Sequence, residues 1–139
     1  MIAVALAALA LAAGHDPVFA ARANAACDHW HALLVDPPGK VGDGTIGDPR
    51  YDAAWRRVFD RFSLALHRLP PPRVGAQEWS RALELLPPLR ASAVALQRAV
   101  ERHGSQPALV TAARRLELAG DAVHRHAAAA GATRCFSNG

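Results

Sequence analysis

Residues 49–69, PRYDAAWRRVFDRFSLALHRL, decide the fold class. Tyr51, Trp55, Val58, Phe62, Leu66 and Leu69 follow one another at intervals of 4, 3, 4, 4 and 3 residues. That alternation matches the 3.6-residue turn of an α-helix and puts all six on one stripe, whereas a half-buried strand would alternate at every second residue. Asp48-Pro49 supplies the start signal, a capping side chain followed by a residue whose missing N–H costs nothing in a first turn. Pro70-Pro71-Pro72 makes a rigid stop. The spacing predicts a helix over 49–68. Asp52, Arg56 and Asp60, four residues apart, are expected to form an ion-pair ladder on its solvent face.

The same period continues downstream. Over 76–103, Trp79, Leu86, Ala93 and Val100 recur every seven residues, and Leu83, Leu89 and Leu96 fill in the stripe. Pro87-Pro88 removes two donors in the middle and biases Leu86 away from helical geometry, so this segment is either one kinked helix or two shorter ones. Gly104-Ser105 is a stop followed by a cap. A last helix is expected over 106–130, with Leu109, Ala113, Leu116, Gly120, Val123 and Ala127 on its inner stripe and Gly131 just past its end. Upstream, residues 26–35, ACDHWHALLV, read as a short first helix closed by Asp36-Pro37-Pro38-Gly39, and 39–47 as a glycine-rich surface loop. Short connections between long amphipathic helices give an all-α expectation: an up-and-down bundle of three long helices plus a short N-terminal helix.

Residues 2–13, IAVALAALALAA, carry no charge. The run has the length of a secretory h-region and falls short of the roughly 20 residues a membrane span requires. Gly14-His15-Asp16-Pro17 interrupts it. Ala21-Arg22-Ala23 and Ala23-Asn24-Ala25 both have the small-x-small order that precedes signal cleavage. No Lys or Arg follows Met1 to form a basic n-region, which points to a start upstream or to a weak signal. The chain therefore divides into a signal-peptide-like leader, 1–23, and one helical domain, 24–139. It is expected to be exported, and extracellular or associated with the cell envelope.

Export gives the two cysteines a meaning. Cys27 and Cys135 in an oxidising compartment are most simply one disulfide joining the ends of the domain. For a closed loop on the order of 100 residues, the chain-entropy argument assigns about 4–5 kcal/mol. The alternatives are two buried thiols, or a lipid on Cys27 as the mature N-terminus. The latter lacks the usual Leu three residues earlier and would leave Cys135 without a partner. Membrane association is expected only through the leader or such a lipid.

Composition narrows the partners. The formal net charge is +4, and loss of a leader containing Asp16 and Arg22 would leave it unchanged. That excess favours anionic envelope polymers or lipid headgroups. The arginines alternate with acids along the chain, so the basic stripe of a nucleic-acid-binding protein is missing. There is no G-x-S-x-G, H-E-x-x-H, phosphate-binding glycine loop or C-x-x-C. Glu78 and Glu84 read as solvated. Asp43-Gly44-Thr45-Ile46-Gly47-Asp48 lacks the alternating acids and closing Glu of a calcium loop and reads as a turn. The chain is therefore expected to bind rather than catalyse, without a cofactor, and its partner is expected to be an envelope protein or polymer.

Histidines and tryptophans carry the remaining signals. His29 and His31 flank Trp30, and His124 and His126 flank Arg125. Residues two apart on a helix point to nearly opposite faces, so neither pair grips one metal. Asp28 with His31, and Asp121 with His124, do have the i, i+3 spacing of helix-borne ligands. Trp30, Trp55 and Trp79 lie one to a helix and read first as core anchors. If the first and last helices pack together, His29, Trp30, His31 and His124 are the candidate ligand contacts of a small-molecule or metal carrier.

Three short stretches carry a family likeness: Ala25-Ala26-Cys27 after the leader, Leu69-Pro70-Pro71-Pro72 before the third helix, and Gly131 with Cys135 at the end. With these the chain resembles small exported proteins and lipoproteins of high-GC Gram-positive bacteria, which are helical and of unknown function. The resemblance implies an envelope location and a helical fold. It implies no activity and no site residues.

Overall fold

Capped, amphipathic stretches dominate the computed structural model, which describes residues 14–39 and 44–137. Among the described residues every regular element is an α-helix. The helices are α1 Pro17–Val35, α2 Pro49–Arg68, α3 Ala76–Glu84, α4 Leu86–Glu101 and α5 Gln106–Ala129. The apolar run 2–13 and part of the glycine-rich loop, including Asp43, lie outside the described residues.

α2 spans the expected residues. Asp48 accepts from the Arg50 N–H at 2.8 Å, and Pro49 opens the first turn. Val58, Phe62 and Leu66 from the sequence stripe are buried, and Ala54 and Phe59 join them. α5 likewise starts after Ser105, whose hydroxyl accepts from the Ala108 N–H at 3.3 Å.

The first helix differs from expectation. It begins at Pro17 instead of residue 26, and at 19 residues it nearly matches the 20 of α2. Asp16 is its N-cap, accepting from Val18 N–H at 3.1 Å and Phe19 N–H at 3.2 Å. Phe19 and Ala23, upstream of the expected start, are buried in the central cluster. The Asp16-Pro17 pair that reads as a stop to the leader is the same start signal as Asp48-Pro49.

The segment 76–103 divides at Leu85. Pro87 and Pro88 fall in the first turn of α4, where an N–H has no intrahelical acceptor. The Leu89 N–H donates to the Leu85 carbonyl at 3.1 Å, so helix resumes at once. The apolar phase carries through: Trp79, Ala82, Leu86, Leu89 and Ala93 are all buried.

The solvent ladder on α2 does not form. Asp52 is fully buried, Arg56 donates to Gln97 Oε1 at 3.2 Å, and Asp60 takes a two-pronged contact from Arg90 at 2.7 and 3.1 Å. Each member is drawn to α4 by tertiary packing, and the intrahelical spacing loses.

α4 and α3 both pack on α5, α1 packs on α2, and α2 packs on α4. α1 reaches the end of the chain through residues past α5. Cys27 and Cys135 are disulfide-bonded, with Cα atoms 5.1 Å apart, and both are buried. The Arg134 N–H donates to Asn24 Oδ1 at 2.9 Å, and Arg134 Nε pairs with Asp28 at 2.9 Å. Two glycines permit this closure. Gly131 (φ 97°) ends α5, and a β-carbon there would meet His15 and Ala20 at 3.2–3.3 Å. Gly75 (φ 84°) opens α3 with Ala130 Cα only 3.0 Å from where its β-carbon would stand. Both positions combine a left-handed backbone with close approach, which glycine alone accommodates without strain.

Asp52 carries a pH-dependent consequence. Burial, and then the Glu101 carboxyl hydrogen-bonded beside it, push its pKa from 3.8 up to about 6, against the opposing Gly47 N–H and Arg56. Between about pH 4 and 6 the folded state binds a proton that the unfolded state releases, so this group's contribution to stability falls as pH rises through that window and is flat above it. Asn mimics the protonated acid, accepting from Gly47 and donating to Glu101. Asp52→Asn is expected to raise stability at pH 7 by about 1–2 kcal/mol and to flatten the pH 4–6 slope relative to the parent. Urea unfolding of both proteins across that range reads the difference.

Candidate functional site

Cys27 of the disulfide lines a cleft of about 360 Å³ between α1, α2 and the C-terminal tail. Cys27, Asp28, His31 and Leu34 come from successive turns of α1, Phe62 from α2, and Arg134 and Phe136 from the tail. The i, i+3 and i+4 spacing of the α1 residues puts them on one face. The Asp28–Arg134 pair closes one rim; both side chains are largely exposed, so it orients the tail more than it stabilises it.

Aromatic rings line the apolar side. Phe62 stacks on Trp30 (centroids 6.1 Å apart) and on Phe136 (5.3 Å apart). Phe136 holds a left-handed backbone (φ 58°), a conformation that costs a residue with a β-carbon on the order of 1–3 kcal/mol. The disulfide and the stacked ring hold it there. The three tryptophans do not meet in one cluster. Each takes a phenylalanine instead: Trp30 with Phe62, Trp55 with Phe59 (5.2 Å), and Trp79 edge-on with Phe19 (4.9 Å). Trp79 Nε1 is buried without a hydrogen-bond partner.

The four candidate ligand contacts have separate surroundings. His31 lines the cleft. Trp30 borders it through its stack on Phe62. His29 is exposed and packs edge-on against Trp30, with ring centroids 5.3 Å apart. His124 Nδ1 lies 2.9 Å from the Cys135 carbonyl and anchors the tail from α5. The neighbouring His126 Nδ1 is 2.6 Å from Glu78, tying α5 to α3. Among the described residues no three His, Cys, Asp or Glu side chains come together as a metal site.

Two further concavities are missed by the sequence reading. A cleft of about 410 Å³ lies between the start of α1 and the α2–α3 connection, with Arg22, Arg73 and His15 beside Phe19 and Leu69. Asp16 also lines it, held below its ordinary pKa by the Arg73 and Phe19 N–H groups. A shallow groove of about 580 Å³ runs between α4 and α5, past Ala91, Ala95, Ala108, Thr111, Ala112 and Arg115. The first half of α5 is also less fully packed than expected: Ala113 is exposed, Leu109 and Leu116 are half-buried, and only Val123 and Ala127 of the expected stripe are buried. The α5 positions lining the groove lie off the stripe that the spacing picks out as core.

No described helix is long and apolar enough to cross a membrane. No protein-family model, curated protein or solved structure matches the chain.

Proposed function

We propose that this protein is an exported, disulfide-closed helical module that works by binding a protein or polymer of the cell envelope. The observation that carries the reading is the buried Cys27–Cys135 disulfide, a bond that persists where the surroundings are oxidising. The apolar run 2–13 supports the same location, and the likeness to small exported proteins and lipoproteins of high-GC Gram-positive bacteria agrees with it. A sulfur committed to this bond carries no lipid, so attachment through Cys27 and the disulfide exclude each other. The reading includes an up-and-down arrangement of the helices, which the short connections at 69–75 and 102–105 favour. The sequence carries none of the common catalytic motifs, so the reading favours binding.

The test is retention. Immobilised oxidised protein is exposed separately to extracted envelope proteins and to purified wall polymer. The reading expects one of the two to be held saturably, and to be held less by a Cys27→Ser/Cys135→Ser double variant. No saturable retention of either contradicts it.

A second reading, a small-ligand or metal carrier, is favoured by the cleft that His31, Phe62 and Phe136 line together. A ligand at 100 times its Kd would stabilise the fold by about 2.7 kcal/mol. Binding-module behaviour predicts an unchanged melting temperature on adding zinc. A rise of several degrees would favour the carrier.

A further inference from the structure

We infer that the mature N-terminus lies ahead of Asp16, at the small residues 10–14, and not after Ala23 or Ala25. The inference rests on the export reading and changes what the exported molecule is. Small-x-small order occurs twice inside α1, at Ala21-Arg22-Ala23 and Ala23-Asn24-Ala25. It also occurs at the end of the apolar run, as Ala10-Leu11-Ala12 and Ala12-Ala13-Gly14. Sequence pattern alone does not rank them, because each offers a signal peptidase the same small side chains.

The folded product ranks them. Residues 15–24 are structural. Asp16 caps α1 and also accepts the Arg73 N–H at 3.1 Å, pinning the start of α1 to the chain between α2 and α3. Phe19 is 4% exposed and meets Trp79 edge-on, and Ala23 is fully buried. His15 and Ala20 form the surface against which Gly131 packs, 3.2–3.3 Å from where its β-carbon would stand. Asn24 accepts the Arg134 N–H through Oδ1 and donates through Nδ2 to the Gly131 carbonyl at 3.5 Å. Cutting after Ala23 would remove the cap, the Phe19 ring and the Ala23 contact together. Cutting after Ala25 would remove Asn24 as well. Either product begins within three residues of the disulfide-bonded Cys27, with no turn of helix ahead of it, and exposes Trp79 and the end of α5 to water. Cutting at 12–14 removes none of these contacts.

The full chain is expressed in an exporting bacterial host, and the released protein is read by N-terminal sequencing. The inference expects a start at Ala13 or His15. A start at Asn24 or Ala26 overturns it while leaving export intact. Recovery of only the unprocessed chain, retained in the cytoplasm, overturns the export reading and the inference with it. Variants sharpen the assignment. Ala12→Leu with Gly14→Leu is expected to abolish processing, whereas Ala25→Leu, at an exposed position, is expected to leave it unchanged; the reverse pattern contradicts the inference. Two oxidised chains, one beginning at His15 and one at Asn24, provide a readout independent of the peptidase. The first is expected to melt cooperatively, and the second to melt at least 10 °C lower or without a cooperative transition. Equal melting temperatures contradict the structural argument.

Discussion

Replacing Cys27 and Cys135 together by Ser is expected to lower the stability of this protein by about 2–5 kcal/mol, the range for losing a native disulfide from a small exported domain. For a domain of this size that corresponds to a fall in melting temperature of roughly 10–20 °C. Two effects combine. The bond joins residues 108 positions apart and so constrains the unfolded chain strongly. It also clamps a tail that has few other holds: the His124 contact to the Cys135 carbonyl, the Arg134 contacts to Asn24 and Asp28, and the Phe136 stack on Phe62. Denaturant unfolding of the parent and the double Ser variant measures the first effect. Loss of protection of the 132–136 amides in hydrogen exchange reads the second. An unchanged midpoint would show that the helices close without the bond.

The second large effect belongs to Phe62. Its ring lies between Trp30 of α1 and Phe136 of the tail, it is 3% exposed, and it lines the cleft beside the disulfide. Phe62→Ala removes both stacks and leaves a cavity open to the cleft, with an expected cost of about 3–5 kcal/mol. Phe62→Leu keeps most of the volume and is expected to cost clearly less. The two variants separate packing from the aromatic contacts by their difference in urea midpoint. Freed from its stack, Phe136 would also lose the support for its left-handed backbone. An Ala variant costing less than 1 kcal/mol would mean that the tail does not depend on this ring.

Much of the fold is legible because periodicity and caps agree. For α2, six apolar residues on one stripe coincide with Asp48-Pro49 at the start and three prolines after the end, and the observed helix has the expected limits. For α5 the cap at Ser105 fixes the start equally well. The start of α1 is obscured by a competing pattern. Residues 14–25 hold a second cap-and-proline pair, but they follow an apolar run and contain alanines in small-x-small order, so on sequence alone the cleavage pattern outweighs the folding signal. Only the burial of Phe19 and Ala23 reveals which of the two those residues serve. Asp52 fails for a different reason. A carboxylate four residues from an arginine on an amphipathic helix is normally solvated, and nothing local announces that Gly47 and Glu101 close over it. The candidate contacts divide in the same way. His31 and Trp30 border one cleft because they share α1 with Cys27. His124 is recruited to the tail backbone by a chain reversal at Gly131 that the histidine spacing does not encode.

The central claim is that a covalent bond between α1 and the chain end closes this helical fold in an oxidising compartment. Intact-mass analysis of the protein isolated from its own cells, with free thiols alkylated at the moment of lysis, tests it most directly. The account predicts a mass two hydrogens below the fully reduced chain, with no alkylation at Cys27 or Cys135. Two alkylated cysteines on the native, folded protein would contradict it.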